Sequence, residues 1–156
     1  MKKYVYLFTS NLLLFLVFPF IRLVSKTFYE KNILPYVLNL SCNSKPIDYQ
    51  RKKVIPDATG KVLEIGIGPG SNLKHYDNTK VTSILGIDPS KELNQIAKKR
   101  AEKNNLNIEF LIESASNLSA ESKSIDTVVS TYALCSIPEP EKTLQEIKRV
   151  LKDDGI

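Results

Sequence analysis

The chain has 156 residues, enough for one domain, and its composition, 42% hydrophobic and 25% charged, excludes a disordered or low-complexity protein. The formal charge of +5 is uneven: residues 1–60 contain nine Lys and Arg against three acids, and the remainder contains 13 against 14. Because the core is not basic and has no recognition motif, no nucleic-acid partner is expected. Cys42, Cys135 and the single His75 have no metal-ligand spacing, so no metal site is expected, and both cysteines are predicted to be reduced and buried.

An apolar stretch begins the chain. Residues 4–21 follow two lysines and carry no charge, which reaches the lower end of the roughly 17–25 residues of a membrane-spanning helix. For residues 1–25 we favour an uncleaved membrane anchor. The alternatives are a signal-like segment, although no small-residue cleavage site follows, and a buried core helix. Basic residues lie on both sides, so they favour a membrane surface without defining the orientation.

Residues 26–60 are predicted to form two helices ahead of the core, because two short mixed stretches follow Pro35 and Pro46. A short apolar run from Lys61 to Ile65 then predicts a buried parallel strand. The loop after this strand has glycine at alternate positions: Gly66, Gly68 and Gly70. Such a loop can approach a ligand closely and adopt positive φ.

The spacing of these glycines separates two ligand classes. A dinucleotide fingerprint, Gly-x-Gly-x-x-Gly, requires glycine at position 71, where this chain has Ser71. Glu64, an acidic residue at the strand end, would repel a pyrophosphate but suits a ligand with an amino-acid head. The pattern therefore argues against an NAD-dependent oxidoreductase.

A second predicted strand, Ile84–Ile87, ends at Asp88, which follows Gly66 by 22 positions. A carboxylate at this point can accept hydrogen bonds from both hydroxyls of a ribose. The alternative is that Asp88 only caps the following helix, together with Ser90. The spacing of 22 positions along the sequence between Gly66 and Asp88 favours the ribose interpretation.

The remaining elements continue an alternating α/β pattern. A helix over Lys91–Asn104 is predicted to turn its charged cluster, Lys98, Lys99, Arg100 and Lys103, outward as a solvated face. Strands are predicted at Ile108–Ile112 and Ile125–Ser130. A last helix, Glu141–Leu151, places four apolar residues on one face: Leu144, Ile147, Val150 and Leu151.

The pattern Glu64-x-Gly66-x-Gly68-x-Gly70, followed by Asp88 and the segment 124–155, resembles the class I S-adenosylmethionine-dependent methyltransferases of type 11. The sequences of segments 70–76 and 134–137 are similar to those of methyltransferases related to membrane-bound alkyl-thiol methyltransferases. The resemblance implies a Rossmann-like, three-layer αβα fold, with an S-adenosylmethionine-binding domain at 61–156 and a helical lid at 26–60.

The same resemblance implies a role for each site residue. The three glycines make room for the methionine part of the cofactor, Glu64 helps to position its ammonium group, and Asp88 binds the ribose. Ser114 and Ala115, after the third strand, correspond to adenine contacts, although the family more often has Asp at position 114. Thr131, after the fourth strand, is a further candidate cofactor contact. No catalytic residue is identified.

The family's sheet has seven strands in the order 3-2-1-4-5-7-6, whereas this sequence predicts strands 1–4 only. We therefore expect an incomplete fold, either a fragment or a truncated product, with an apolar edge on strand four that favours aggregation. The resemblance implies methyl transfer to a small or lipophilic acceptor at a membrane, with the catalytic domain in the cytoplasm. The alternative is a non-catalytic, membrane-tethered, cofactor-binding remnant. The sequence indicates no oligomeric state.

Overall fold

The computed structural model describes residues 28–29, 32–42 and 44–156. The predicted anchor at 1–25 lies outside the described residues and stays a prediction. Among the helices that are described, none is long and apolar enough to cross a membrane. The structure divides between Val37 and Leu38 into two units, and the second unit, Leu38–Ile156, contains the whole sheet and every predicted site residue.

Four helices and four strands make up the regular structure of the described residues. In chain order they are α1 (Leu34–Cys42), α2 (Lys45–Val54), a 3₁₀ turn (Ile55–Asp57), β1 (Gly60–Ile65), a 3₁₀ turn (Leu73–His75), β2 (Val81–Ile87), α3 (Lys91–Lys103), β3 (Ile108–Leu111), β4 (Thr127–Ser130), a 3₁₀ turn (Leu134–Ser136) and α4 (Pro140–Val150). The helices and strands predicted within the described residues are confirmed, and β2 begins three residues earlier than the predicted Ile84. β4 is shorter than expected, because Ile125 forms only an isolated bridge with Leu151.

The four strands form one parallel sheet in the order β3-β2-β1-β4, which confirms the predicted order of strands 1–4. Glu64 pairs with Gly86 of β2 on one side and with Val129 of β4 on the other. Strand order therefore reverses at β1, between its neighbours β2 and β4. In open α/β sheets, ligands bind in the crevice outside the carboxyl ends of the strands at this reversal.

Alternate residues of β1 enter two separate apolar clusters. Val62 packs in a cluster that includes Ala101 of α3, and Leu63 packs in a second cluster that includes Val150 of α4. One helix therefore covers each face of the sheet, which confirms the three-layer αβα arrangement. α4 turns Thr143, Ile147 and Val150 inward. Leu144, one of the four residues predicted to share an apolar face, is 53% exposed.

β4 lies at the edge of the sheet. Its side away from β1 meets Ile156, whose N–H donates to Asp126 O (3.0 Å) and whose carbonyl accepts from Val128 N (2.7 Å). The start of the β4 edge that we expected to be bare therefore carries two backbone hydrogen bonds.

Candidate cofactor-binding site

The glycine loop is held in place by the end of β2. The backbone N–H groups of Gly66 and Ile67 both donate to Ile87 O, at 2.8 and 3.1 Å. All three loop glycines have positive φ, which disfavours any side chain. A Cβ at Gly66 would lie 2.5 Å from Ala133 Cβ, and one at Gly70 would lie 2.7 Å from a methyl carbon of Leu73. Packing inside the protein therefore explains these two glycines.

Gly68 has a different environment. Among the described residues, a Cβ there would meet only Gly66 O at 3.8 Å and Asp88 Oδ2 at 4.0 Å, which are ordinary contacts. Protein packing therefore leaves room for a Cβ at this position, although φ is +52°. The bare backbone beside the Asp88 carboxylate fits a ligand that passes close to the loop.

Asp88 joins the glycine loop to the start of α3. Its Oδ2 accepts from Gly68 N at 3.0 Å, and its Oδ1 accepts from Ser90 N at 2.8 Å. The side chain is buried, and this burial raises the pKa of Asp88 against the effect of both hydrogen bonds. The helix cap is Ser90, whose Oγ accepts from Leu93 N at 3.2 Å. Because a carboxylate has about four lone-pair sites, Asp88 can still accept from a diol.

Glu64 is the centre of a buried network. Its Oε1 accepts from Asn72 Nδ2 at 2.9 Å, and its Oε2 accepts from the Tyr76 hydroxyl at 2.7 Å. Burial raises the pKa of Glu64 to about 7, and the two hydrogen bonds oppose that rise. Each oxygen of Glu64 therefore accepts from one protein donor, and the predicted contact of Glu64 with an ammonium group stays a prediction.

Arg51 of α2 reaches the same network and was not predicted from the sequence. Its Nη1 donates to Asn72 Oδ1 at 2.5 Å and to Thr131 Oγ1 at 2.6 Å, and its guanidinium carbon lies 5.2 Å from the centre of the Tyr132 ring. The side chain is only 5% exposed. A signal was available, because Arg51 shares a helix face with Asp48 and precedes the buried Ile55 by four residues.

A second set of contacts holds α2 against the turn after the glycine loop. Asp48 Oδ1 lies 2.6 Å from Lys74 Nζ and 2.8 Å from His75 Nε2. These two partners hold the pKa of Asp48 well below its usual range. The segment predicted to be a lid therefore includes a helix bonded directly to the site, and the single histidine is part of that attachment.

Arg100 corrects the prediction that its charged cluster is a solvated face. Its Nη1 donates to Pro69 O at 2.8 Å, and its Nη2 donates to Asn39 Oδ1 at 2.6 Å. The residue is half-buried, and desolvation lowers its pKa. Since Pro69 lies inside the glycine loop, α3 supports the loop through Arg100.

The remaining residues singled out from the sequence have surroundings that differ from one to the next. Thr131 joins the Arg51 network, because its Oγ1 also accepts from Asn72 Nδ2 at 2.9 Å. Ser114 is exposed, and its Oγ lies 2.8 Å from that of Ser116. Ala115 packs in the apolar core, so a contact with adenine, which stays a prediction, would involve its backbone. Cys135 is exposed, and the prediction that it is buried is wrong.

Comparison with known proteins identifies the same region. The model of a methyltransferase-domain family, type 11, matches residues 63–156. Human thiol S-methyltransferase TMT1B is 34% identical over 140 residues, covering 81% of this chain and 56% of that protein. The ubiquinone/menaquinone biosynthesis C-methyltransferase UbiE of Campylobacter jejuni is 32% identical over 102 residues, covering 62% and 42%. The chain thus spans about half the length of these curated relatives.

Solved structures share the fold. A proposed S-adenosyl-L-methionine-dependent methyltransferase from Methanococcus maripaludis superposes with a TM-score of 0.60 at 28% identity, covering 70% of this chain and 51% of that one. A SAM-dependent methyltransferase from Aquifex aeolicus gives a TM-score of 0.61 at 21% identity, covering 76% and 67%. At that lower identity the likeness concerns the fold alone.

Proposed function

Because this chain belongs to the S-adenosylmethionine-dependent methyltransferase-domain family, type 11, we propose that it transfers a methyl group from S-adenosylmethionine to a small or lipophilic acceptor. The observation that carries this proposal is the 3.0 Å hydrogen bond from Gly68 N to Asp88 Oδ2. It brings a bare-backbone loop and a carboxylate together at the ends of neighbouring parallel strands, where a nucleoside with an amino-acid tail fits both.

The cofactor assignment follows the strand order. Asp88 at the end of β2 takes the ribose, and Gly68 allows the ligand to pass over the loop. Thr131 at the end of β4 and the network around Glu64 lie toward the methionine end. Beyond β2 on the other side, the segment after β3 that holds Ser114 and Ala115 lies toward the adenine.

S-adenosylmethionine supplies a methyl group that its sulfonium already makes electrophilic. In the proposed transfer, a lone pair of the acceptor would form the new bond to the methyl carbon as the carbon–sulfur bond breaks, and the electron pair of that bond would return to sulfur. The chain's task is to hold donor and acceptor in line, so orientation accounts for much of the rate. The network that fixes α2, the glycine loop and β4 to one another suits this task.

Exposed apolar residues favour an apolar acceptor. Ile112, just after β3, is 59% exposed, and Tyr132 and Leu134, just after β4, are 55% and 39% exposed. All three follow the carboxyl ends of their strands, where ligands of such sheets bind. An alkyl thiol is the first acceptor to test, since a thiol S-methyltransferase is among the relatives, and a quinone-type ring is the second. The uncharged stretch at 4–21 supports membrane association. A cytoplasmic catalytic domain is a further part of the proposal that this stretch does not address.

The test begins with calorimetric titration of the purified chain with S-adenosylhomocysteine and, separately, with NAD. We expect binding of the first ligand alone; binding of NAD instead would overturn the proposal. Transfer of tritiated methyl from S-adenosylmethionine to a long-chain alkyl thiol is then compared with transfer to the corresponding alcohol. Membrane association is tested separately, by fractionating cells that express the chain with and without residues 1–25.

A further inference from the structure

Arg51 lies at the point where strand order reverses. Its guanidinium bridges Asn72, which follows the glycine loop of β1, and Thr131, the first residue after β4. These are the two strand ends that border the crevice on the β4 side of β1. A charged group at this position faces whatever part of a ligand enters the crevice there.

Within the described part of the chain, the guanidinium of Arg51 has N–H groups that meet no acceptor. Both of its hydrogen bonds come from Nη1, and Nε is buried there without a partner. Nη2 donates to no residue in the described part of the chain and, unlike Nε, is not enclosed. Since a guanidinium has five N–H donors and burial of an unpaired one is costly, the free N–H groups of a 95%-buried arginine indicate a missing acceptor.

The missing acceptor is expected to be an anion. The two protein acceptors, the Asn72 amide and the Thr131 hydroxyl, are neutral, and the third neighbour is the ring of Tyr132. The carboxylate of Glu64, which belongs to the same network, accepts from Asn72 and Tyr76 instead. Among the described residues, none thus gives Arg51 a direct ion pair, which is unusual for a buried charge.

We propose that Arg51 binds the carboxylate of the amino-acid part of the cofactor and selects ligands that carry it. This inference rests on the proposed function, because it assumes that an adenosyl amino acid occupies the crevice. A planar carboxylate matches the geometry of a guanidinium fork, which a lysine ammonium does not reproduce.

The experiment compares two ligands that differ only in the carboxylate: S-adenosylmethionine and its decarboxylated form. Calorimetry on the wild-type chain should show that decarboxylation weakens binding about 30-fold, as expected for a charge-assisted pair. In Arg51→Met, S-adenosylmethionine should bind about 30-fold more weakly, whereas the decarboxylated ligand should bind as it does to the wild type. The affinity of Arg51→Lys for S-adenosylmethionine should lie between those of the wild type and Arg51→Met.

Lys53→Met is the matched control, because it removes one positive charge from the same helix at a residue that stacks on Tyr49, away from the network. Both ligands should bind this variant as they bind the wild type. Equal weakening of both ligands by Arg51→Met would overturn the inference and leave Arg51 a structural link. Failure of the wild-type chain to bind either ligand would instead overturn the proposed function. Thermal unfolding of each variant shows whether it is folded.

Discussion

The backbone N–H of Gly68 donates to the carboxylate of Asp88 at 3.0 Å, across 20 residues of sequence. The bond links a loop that has no side chain at its closest point to a buried acidic group at the end of the next strand. In the proposed complex, Gly68 and Asp88 keep this bond. Asp88 can also accept hydrogen bonds from the ligand, since a carboxylate oxygen has a second lone pair, and the ligand passes close to the Gly68 backbone.

Asp88→Ala should remove the ribose contact. Two hydrogen bonds to a charged acceptor are lost, so we expect the affinity for S-adenosylhomocysteine to fall about 100-fold or more, as measured by calorimetry. Asp57→Asn, an exposed carboxyl on the turn after α2, serves as the control and should leave the affinity unchanged. An Asp88→Ala variant with wild-type affinity would refute the ribose assignment.

Gly66→Ala and Gly68→Ala should separate packing from ligand approach. The first places a Cβ 2.5 Å from Ala133 Cβ, and we expect the free energy of unfolding to fall by about 3 kcal/mol. The second has room for the Cβ but keeps φ at +52°, so it should cost only about 1 kcal/mol.

The effect of Gly68→Ala on ligand affinity should be larger than its small effect on stability suggests. Gly68→Ala places a methyl group where the ligand passes the loop, and we expect its loss of affinity for S-adenosylhomocysteine to exceed its loss of stability. Urea unfolding and calorimetry on the same preparations provide both numbers. Equal affinity of Gly68→Ala and wild type would show that the ligand does not approach this point.

Glu64 should make stability depend on pH. Because burial raises its pKa from 4.5 to about 7, the folded protein keeps a proton that the unfolded chain has released between those pH values. The free energy of unfolding should therefore fall as pH rises through this window, by about 3 kcal/mol from this one group.

Urea unfolding at several pH values between 4.5 and 7.5 measures this slope. Glu64→Gln cannot titrate, so its profile should be flatter across the window, whatever its absolute stability. Glu109→Gln, at an exposed position of β3, should keep the wild-type slope. Parallel profiles for wild type and Glu64→Gln would contradict the raised pKa.

Arg100 should support the glycine loop. Arg100→Met removes the hydrogen bonds to Pro69 O and Asn39 Oδ1, so the free energy of unfolding should fall by about 1–2 kcal/mol. The neighbouring Lys99→Met changes an exposed side chain and should have an effect within about 0.5 kcal/mol. Equal effects of the two variants in urea unfolding would show that Arg100 belongs to a solvated face after all.

The sequence alone determined the order of the helices and strands. It also determined two parts of the site, the glycine loop and Asp88, because each directly follows a predicted strand. The apolar run before Gly66 and the strand before Asp88 are local patterns, and parallel strands bring their carboxyl ends to one edge of the sheet. The proximity of Gly68 and Asp88 followed from that geometry without any knowledge of side-chain contacts.

Only the tertiary structure decided which charges belong to the site. Arg51 meets Thr131 across 80 residues, and Arg100 meets Asn39 across 61, so no local pattern identifies either of these partners. The sequence placed Glu64 at the loop but could not show that Asn72 and Tyr76 occupy both of its oxygens. Such partnerships depend on how helices pack on the sheet. Hydrophobic periodicity predicts which face of a helix packs inward, but it does not predict which partner an individual polar atom meets.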